Sequence, residues 1–212
     1  MNPKLAARFS CAMLIPALAI AGLLMAIPIA RAADDPAMRA ASDKIVAAAE
    51  ALIKQAGQAD PIDSKLVRDA INRLQAAVRV DPRNDAAYVD LGFCYSLLRD
   101  GSQAIDMYTT ATQINPSGAN FLELADIYLR AGDAEGALMA ANAGIVKDPQ
   151  NARLYNAKGG ALNDLQRIDE AEEAYEKAIK LDPSFTIARE NLKALNSGST
   201  GRGSISRQSA SH

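Results

Sequence analysis

The sequence predicts an all-α solenoid of helix-turn-helix units finished by a single terminal capping helix. Three observations predict it. Prolines recur at a nearly constant interval, each interval holds two amphipathic helical segments, and no run shows the two-residue alternation of a strand. Pro82, Pro116, Pro149 and Pro183 are spaced by 34, 33 and 34 residues. Each follows Asp or Asn and closes an apolar helical run, as at 77–81 and 178–182. Proline stops a helix there because it lacks the amide donor and clashes with the preceding turn.

At the start, Lys4 and Arg8 precede an uncharged run from Cys11 to Ala30, and Ala30-Arg31-Ala32 follows. This order predicts a secretory signal over residues 1–32, cut after Ala32. The alternative is an uncleaved inner-membrane anchor, since about twenty apolar residues can span a bilayer. Pro16, Pro28 and the small-residue site favour cleavage. On either reading the remainder is exported, to the periplasm or beyond, because the basic N-terminus stays inside.

Residues 33–41 read as a linker. Residues 42–84 form a divergent helix pair, Ser42–Ala56 and Ser64–Val80, with Ala70, Leu74 and Ala77 in register and a longer connection at Gly57–Asp63. Three full units follow at 85–117, 118–151 and 152–185. Their inner breaks are Arg99-Asp100-Gly101-Ser102, Gly132-Asp133 and Gln166-Arg167-Ile168-Asp169, all turn material. Residues 186–195 give the capping helix, with Ile187, Ala188, Leu192 and Leu195 on one face. The Ser- and Gly-rich stretch 196–212 reads as a disordered tail.

Composition and residue types exclude several chemistries. Removing Lys4, Arg8 and Arg31 with the signal leaves 20 basic residues against 25 acidic, about −5, which gives nucleic acid no basic footprint. The only histidine, His212, ends the tail, so no fixed histidine base or histidine-based metal site can form. Cys94 lacks a partner base and reads as a small buried filler between Phe93 and Tyr95, with no second mature cysteine for a disulfide. The glycine- and serine-rich run 198–204 lacks the Gly-Lys-Ser/Thr ending of a phosphate loop. Glu172 and Glu173 lie on the exposed side of a predicted helix. The expectation is no catalytic residue, no cofactor and no metal.

The units resemble the tetratricopeptide repeat, whose signature runs W-x₂-L-G-x₂-Y…A-x₃-F…P. The first reads Tyr88, Leu91-Gly92, Tyr95, Ala104, Tyr108, Pro116. The second reads Phe121, Leu124-Ala125, Tyr128, Ala137, Ala141, Pro149. The third reads Tyr155, Lys158-Gly159, Leu162, Ala171, Tyr175, Pro183. The resemblance implies a right-handed stack. Gly92, Ala125 and Gly159 would sit where the two helices of a unit cross, opposite Ala104, Ala137 and Ala171, while Tyr88, Phe121 and Tyr155 fill the seams. Departures are Ala141 for an aromatic, Lys158 for an apolar residue and Gly144 for a better helix former. Glycine there costs roughly 1 kcal/mol relative to alanine, so the second helix of the middle unit is expected to be the softest.

In such arrays the first helices line a concave groove where ligands lie. The register places Val89, Asp90, Phe93, Ser96 and Leu97 of the first unit there. Leu122, Glu123, Asp126, Leu129 and Arg130 come from the second, and Arg153, Asn156, Ala157, Asn163 and Asp164 from the third. Chaperone-binding members grip a terminal carboxylate with Lys and Asn, but the corresponding places are Val89 and Phe93, so that clamp is expected to be absent. The groove mixes apolar and acidic residues, which predicts a protein or peptide partner with apolar anchors and at least one basic residue. The implied function is a non-enzymatic scaffold or adaptor of the cell envelope, similar to small bacterial exported repeat proteins. The alternative is a membrane-anchored structural part of an envelope assembly or secretion complex.

Overall fold

The computed structural model describes residues 35–199. They form α1 (Pro36–Ala56), α2 (Ser64–Val80), α3 (Asp85–Leu97), α4 (Gly101–Ile114), α5 (Gly118–Ala131), α6 (Ala134–Lys147), α7 (Ala152–Asp164), α8 (Ile168–Leu181) and α9 (Thr186–Ser199), with no strand among the described residues. The signal or anchor at 1–32, His212 and the tail beyond Ser199 lie outside them.

Short polar side chains start the helices. Asp35, Asp63, Asn84, Asp100, Ser117, Asp133 and Asn151 each accept a backbone N–H from the first turn of the helix that follows. These bonds satisfy donors that the helix itself leaves open. α8 has no such side-chain cap; Arg167 instead forks onto Glu170 with two bonds of 2.7 Å.

Four boundaries differ from the sequence expectation, the first at α4, where Gly101 and Ser102 are helix rather than turn because Asp100 caps Gln103. Residues 36–41 are helix rather than linker, because Asp35 caps Ala37 and Pro36 occupies the first helical position, where its missing N–H costs nothing. α8 begins at Ile168, two residues before the expected Glu170. Residues 196–199 continue α9 instead of joining the tail.

The turn inside each unit places Arg99, Gly132 and Gln166 at φ of 61°, 77° and 61°. These three residues hold the same place in their units. The left-handed turn is thus imposed by the stacking of the pair, and only the middle unit uses the residue that accepts it without strain.

Consecutive helices pack throughout, and α1, α3, α5, α7 and α9 also pack in order on one another, whereas the second helices do not. The first helices therefore form the inner, concave row. The small signature residues sit where expected: Ala104, Ala125, Ala137 and Ala171 are wholly buried. A Cβ on Gly92 would stand 2.9 Å from the Tyr108 ring, and one on Gly159 2.6 Å from the Tyr175 ring. Each tyrosine of a second helix thereby passes under the glycine of its own first helix. The core is continuous, from Val46, Leu74 and Leu91 at one end to Leu162, Tyr175 and Leu195 at the other.

Gly144 has a role that the sequence did not suggest. A Cβ there would meet Leu154 Cδ2 at 2.6 Å and Phe121 Cβ at 3.0 Å. The missing side chain lets α6 approach both α5 and α7, so it is a packing requirement rather than a weak point in the helix.

Polar side chains join the units. Ser42 donates to the Ala77 carbonyl at 3.0 Å, and the Asn84 amide donates to Ser42 and Asp43 at 2.9 and 2.8 Å. The buried Asn120 amide donates to the Asn115 carbonyl at 2.9 Å and to Asp85 at 3.2 Å. Asn115 adds a bond to Asp85 at 2.8 Å. Burial alone would raise the Asp85 carboxyl, but these two amides hold it below its usual value.

Candidate functional site: the concave face

Of the large apolar side chains exposed on inner-row helices, Met38 on α1, Phe93 on α3 and Ile187 on α9, only Phe93, at 41 % exposure, belongs to a full unit. It lies one helical turn from Asp90 on α3, so the two share a face. Asp90 is half-buried, and its Oδ2 has no hydrogen-bond partner among the described residues. Burial, and next the charge of Glu50 on α1, push its carboxyl up to about 6.

α5 contributes Glu123 and Asp126, both half-buried. Burial raises both carboxyls, and Asp126 raises Glu123 further. Arg153 and Arg130 act against that rise on each of them. Arg153 reaches Asp126 at 3.9 Å, and Arg130 Nε donates to the Asp126 carbonyl at 3.4 Å. The acids of α5 thus have cations beside them. The charge acting on Asp90 is that of another acid.

Several residues assigned to the groove by register serve packing instead. Leu122 is 4 % exposed and belongs to the core with Tyr108 and Ala125, so it cannot anchor a ligand. Ala157 is buried in the same cluster, and half-buried Val89 and Leu129 pack against it. Leu97 packs against the neighbouring cluster. Ser96 donates its hydroxyl to the Gly92 carbonyl at 2.9 Å. Asn156 accepts the Asn191 amide at 2.9 Å, so the capping helix already uses the oxygen expected to meet a peptide backbone. Asn163 stays half-buried and Asp164 exposed at the far end. Of the residues that register places in the groove, Asp90, Phe93, Glu123, Asp126, Arg130, Arg153, Asn163 and Asp164 are left outside the core and keep solvent-accessible surface.

Tyr108 is a core residue that feels the charge of the inner-row acids. Its side chain is 1 % exposed, and a hydrogen bond with Ser96 acts against the rise that burial imposes on its hydroxyl. Burial, then the nearby charge of Glu123, push that hydroxyl up to about 12, and Asp90 acts in the same direction. The ring passes beneath Gly92.

Among the described residues, no group of three or more His, Cys, Asp or Glu could hold a metal ion, and no helix is long and apolar enough to cross a membrane. Cys94 is wholly buried, and burial, then Asp90, push its thiol up to about 12, which leaves it in its unreactive protonated form.

The tetratricopeptide repeat family profiles match residues 62–125 and 122–184. Small glutamine-rich tetratricopeptide repeat-containing protein 2 of Mycosarcoma maydis is 32% identical over 97 residues, which are 45% of this chain and 28% of that protein. Heat shock protein STI1 of Saccharomyces cerevisiae is 30% identical over 100 residues, 46% of this chain and 17% of that protein. The chain thus spans less than a third of the length of either. Among solved structures, MamA from residue 41 to its end, of Desulfovibrio magneticus, superposes with a TM-score of 0.64 at 17% identity, over 75% of this chain and 85% of that solved chain. The first repeat domain of RPAP3 (Spaghetti), bound to an HSP90 peptide, gives 0.53 at 22% identity, over 57% of this chain and 96% of that domain. These two likenesses concern the fold. With the signature residues at the helix crossings and both profile matches running through 62–184, the chain belongs to the tetratricopeptide repeat family.

Proposed function

We propose that this chain is a non-enzymatic interaction scaffold of the cell envelope that holds a segment of a partner protein along its concave face. The observation that carries the reading is Phe93, a large apolar side chain 41 % exposed on the inner row and one turn from a half-buried acid. An exposed aromatic flanked by acids suits a segment with an apolar anchor and a basic residue. Export rests on Lys4 and Arg8 ahead of the apolar run. The peptide in the RPAP3 complex, SRMEEVD, has an acidic end. Such an end suits this groove poorly, because Asp90, Glu123 and Asp126 would repel it and Val89 and Phe93 stand where a clamp needs Lys and Asn.

A photoreactive benzoyl-phenylalanine placed at residue 93 tests the reading in cells of the native host. The expected result is one partner cross-linked from residue 93 and not from residue 146, an exposed position on α6. Capture from residue 146 alone would overturn the groove assignment.

A second reading has the N-terminal run retained as an anchor and the outer surface making structural contacts. Val146 and Met139 on α6, 80 % and 72 % exposed, favour it. Mass spectrometry of the native N-terminus separates the two: a start at Ala33 supports the soluble scaffold, a start at Met1 the anchored component.

A further inference from the structure

Two places on the outer surface break the pattern of the repeat. Counted from the buried alanines Ala70, Ala104, Ala137 and Ala171, which share one register, the equivalent exposed positions hold Asn72 and Arg79 on α2, Asp106 and Gln113 on α4, and Glu173 and Lys180 on α8. On α6 the same two positions hold Met139 and Val146, 72 % and 80 % exposed. Polar residues thus meet the water in every other unit, and large apolar ones meet it only here. The two lie two helical turns apart on one face, with the exposed Asn142 between them.

This short stripe reads alike from both ends, which fits a second copy of itself. Laid antiparallel across a two-fold axis, α6 sets Met139 against Val146 of the second copy and Val146 against its Met139. The two Asn142 amides then meet near the axis, where each can donate to the other. Charge favours the same register. α8 is acidic ahead of its midpoint, at Glu173 and Glu176, and basic beyond it, at Lys177 and Lys180. It lies one repeat further along, so the midpoint of 173–180 stands level with that of 139–146. The axis that pairs Met139 with Val146 therefore faces Glu173 with Lys180, and Glu176 with Lys177, whose ammonium stands 5.8 Å from the Tyr155 ring at the edge of the stripe. A slip of one turn either way would face Glu with Glu or Lys with Lys. Neither a lipid surface nor an unrelated protein would require the apolar and the charged registers to coincide.

We propose that the outer face of α6 is a self-association surface, on which two copies of this chain pair back to back and antiparallel with Met139 packed on Val146. One 14-residue helix with charged flanks falls short of the about 800 Å² per partner of a stable interface, so the dimer is weak and forms at micromolar concentrations or above. Both concave faces stay open and point away from each other. The pair is thus bivalent whatever the groove holds, and the pairing does not depend on the groove reading.

Sedimentation velocity of the protein purified from its host, over a rising concentration series, reads the association. The expected result is a monomer–dimer equilibrium that Met139→Ser/Val146→Ser weakens at least about tenfold. Thermal melting of that variant should be unchanged, since both side chains are already exposed. Glu173→Lys/Glu176→Lys should weaken the dimer too, and adding Lys177→Glu/Lys180→Glu to it should bring the dimer back. Asn142→Cys should link to its mate through a short bismaleimide, whereas Glu135→Cys, two turns further from the axis, should not; the buried Cys94 of the wild type sets the background. Phe93→Ala should leave the dimer intact, and a photoreactive residue at 146 should capture a second copy and no other protein. A wild type monomeric at every concentration, or a dimer equally strong without Met139 and Val146, would overturn the pairing and leave the groove reading untouched. So would a foreign protein captured at 146, or a dimer that the full charge exchange fails to restore.

Discussion

Gly159 and Tyr175 meet with no room for a methyl group, a Cβ on the glycine standing 2.6 Å from Cε1 of the ring. The pair fixes how closely α7 and α8 cross. Gly159→Leu should therefore destabilise the chain by about 3 kcal/mol, since overpacking outweighs the gain in helix propensity. Urea denaturation measures it. An unchanged midpoint at unchanged slope would contradict the crossing.

Gly144→Ala separates two physical effects of opposite sign. Helix propensity alone favours alanine by about 1 kcal/mol. The new methyl would press on Leu154, which is wholly buried, and on the Cβ of Phe121. Overpacking of this kind costs about 1–3 kcal/mol, so a net loss of about 1 kcal/mol is expected. A variant more stable than wild type would show that α6 is held loosely there.

Asp90 makes stability depend on pH with a definite sign. Burial, and then the charge of Glu50, let its folded carboxyl keep a proton up to about 6, against an ordinary value of 3.8. The folded state then binds the extra proton between roughly pH 4 and 6, so stability declines as pH rises through that window and the penalty is complete above it. Asp90→Asn removes the penalty. It should gain about 1 kcal/mol at pH 7, after allowance for partial exposure, and nothing at pH 4. Melting curves of the two proteins at both pH values check this, and an equal effect at the two pH values would refute it.

Asn120 joins the first unit to the second through Asn115 and Asp85 while itself buried. Asn120→Ala leaves a carbonyl without its buried donor and an aspartate without one amide, which should cost about 2 kcal/mol. Asn115→Ala, at an exposed position, should cost less than half of that. Calorimetric melting ranks the two; the reverse order would remove Asn120 as the joint.

Most of the helices and their crossings were legible because packing leaves a periodic trace. A crossing requires a small residue, a seam requires a large one, and both return each time the chain completes a unit. The groove was only partly legible. Successive residues of a helix point about 100° apart, and a small rotation decides between groove and seam. Leu122 fell into the core on that account, while Phe93 stayed out. Asn156 was claimed by Asn191, thirty-five residues away, a pairing that no local pattern announces. The start of α1 was missed although Asp35-Pro36 stood in the sequence, because no repeat signature marked it.

The outer helices of this array lean only on their own partners and on the inner row. A strain applied along the stack can therefore fan the outer layer apart while the inner contacts act as a spine. Curvature can change in this way without tearing the core.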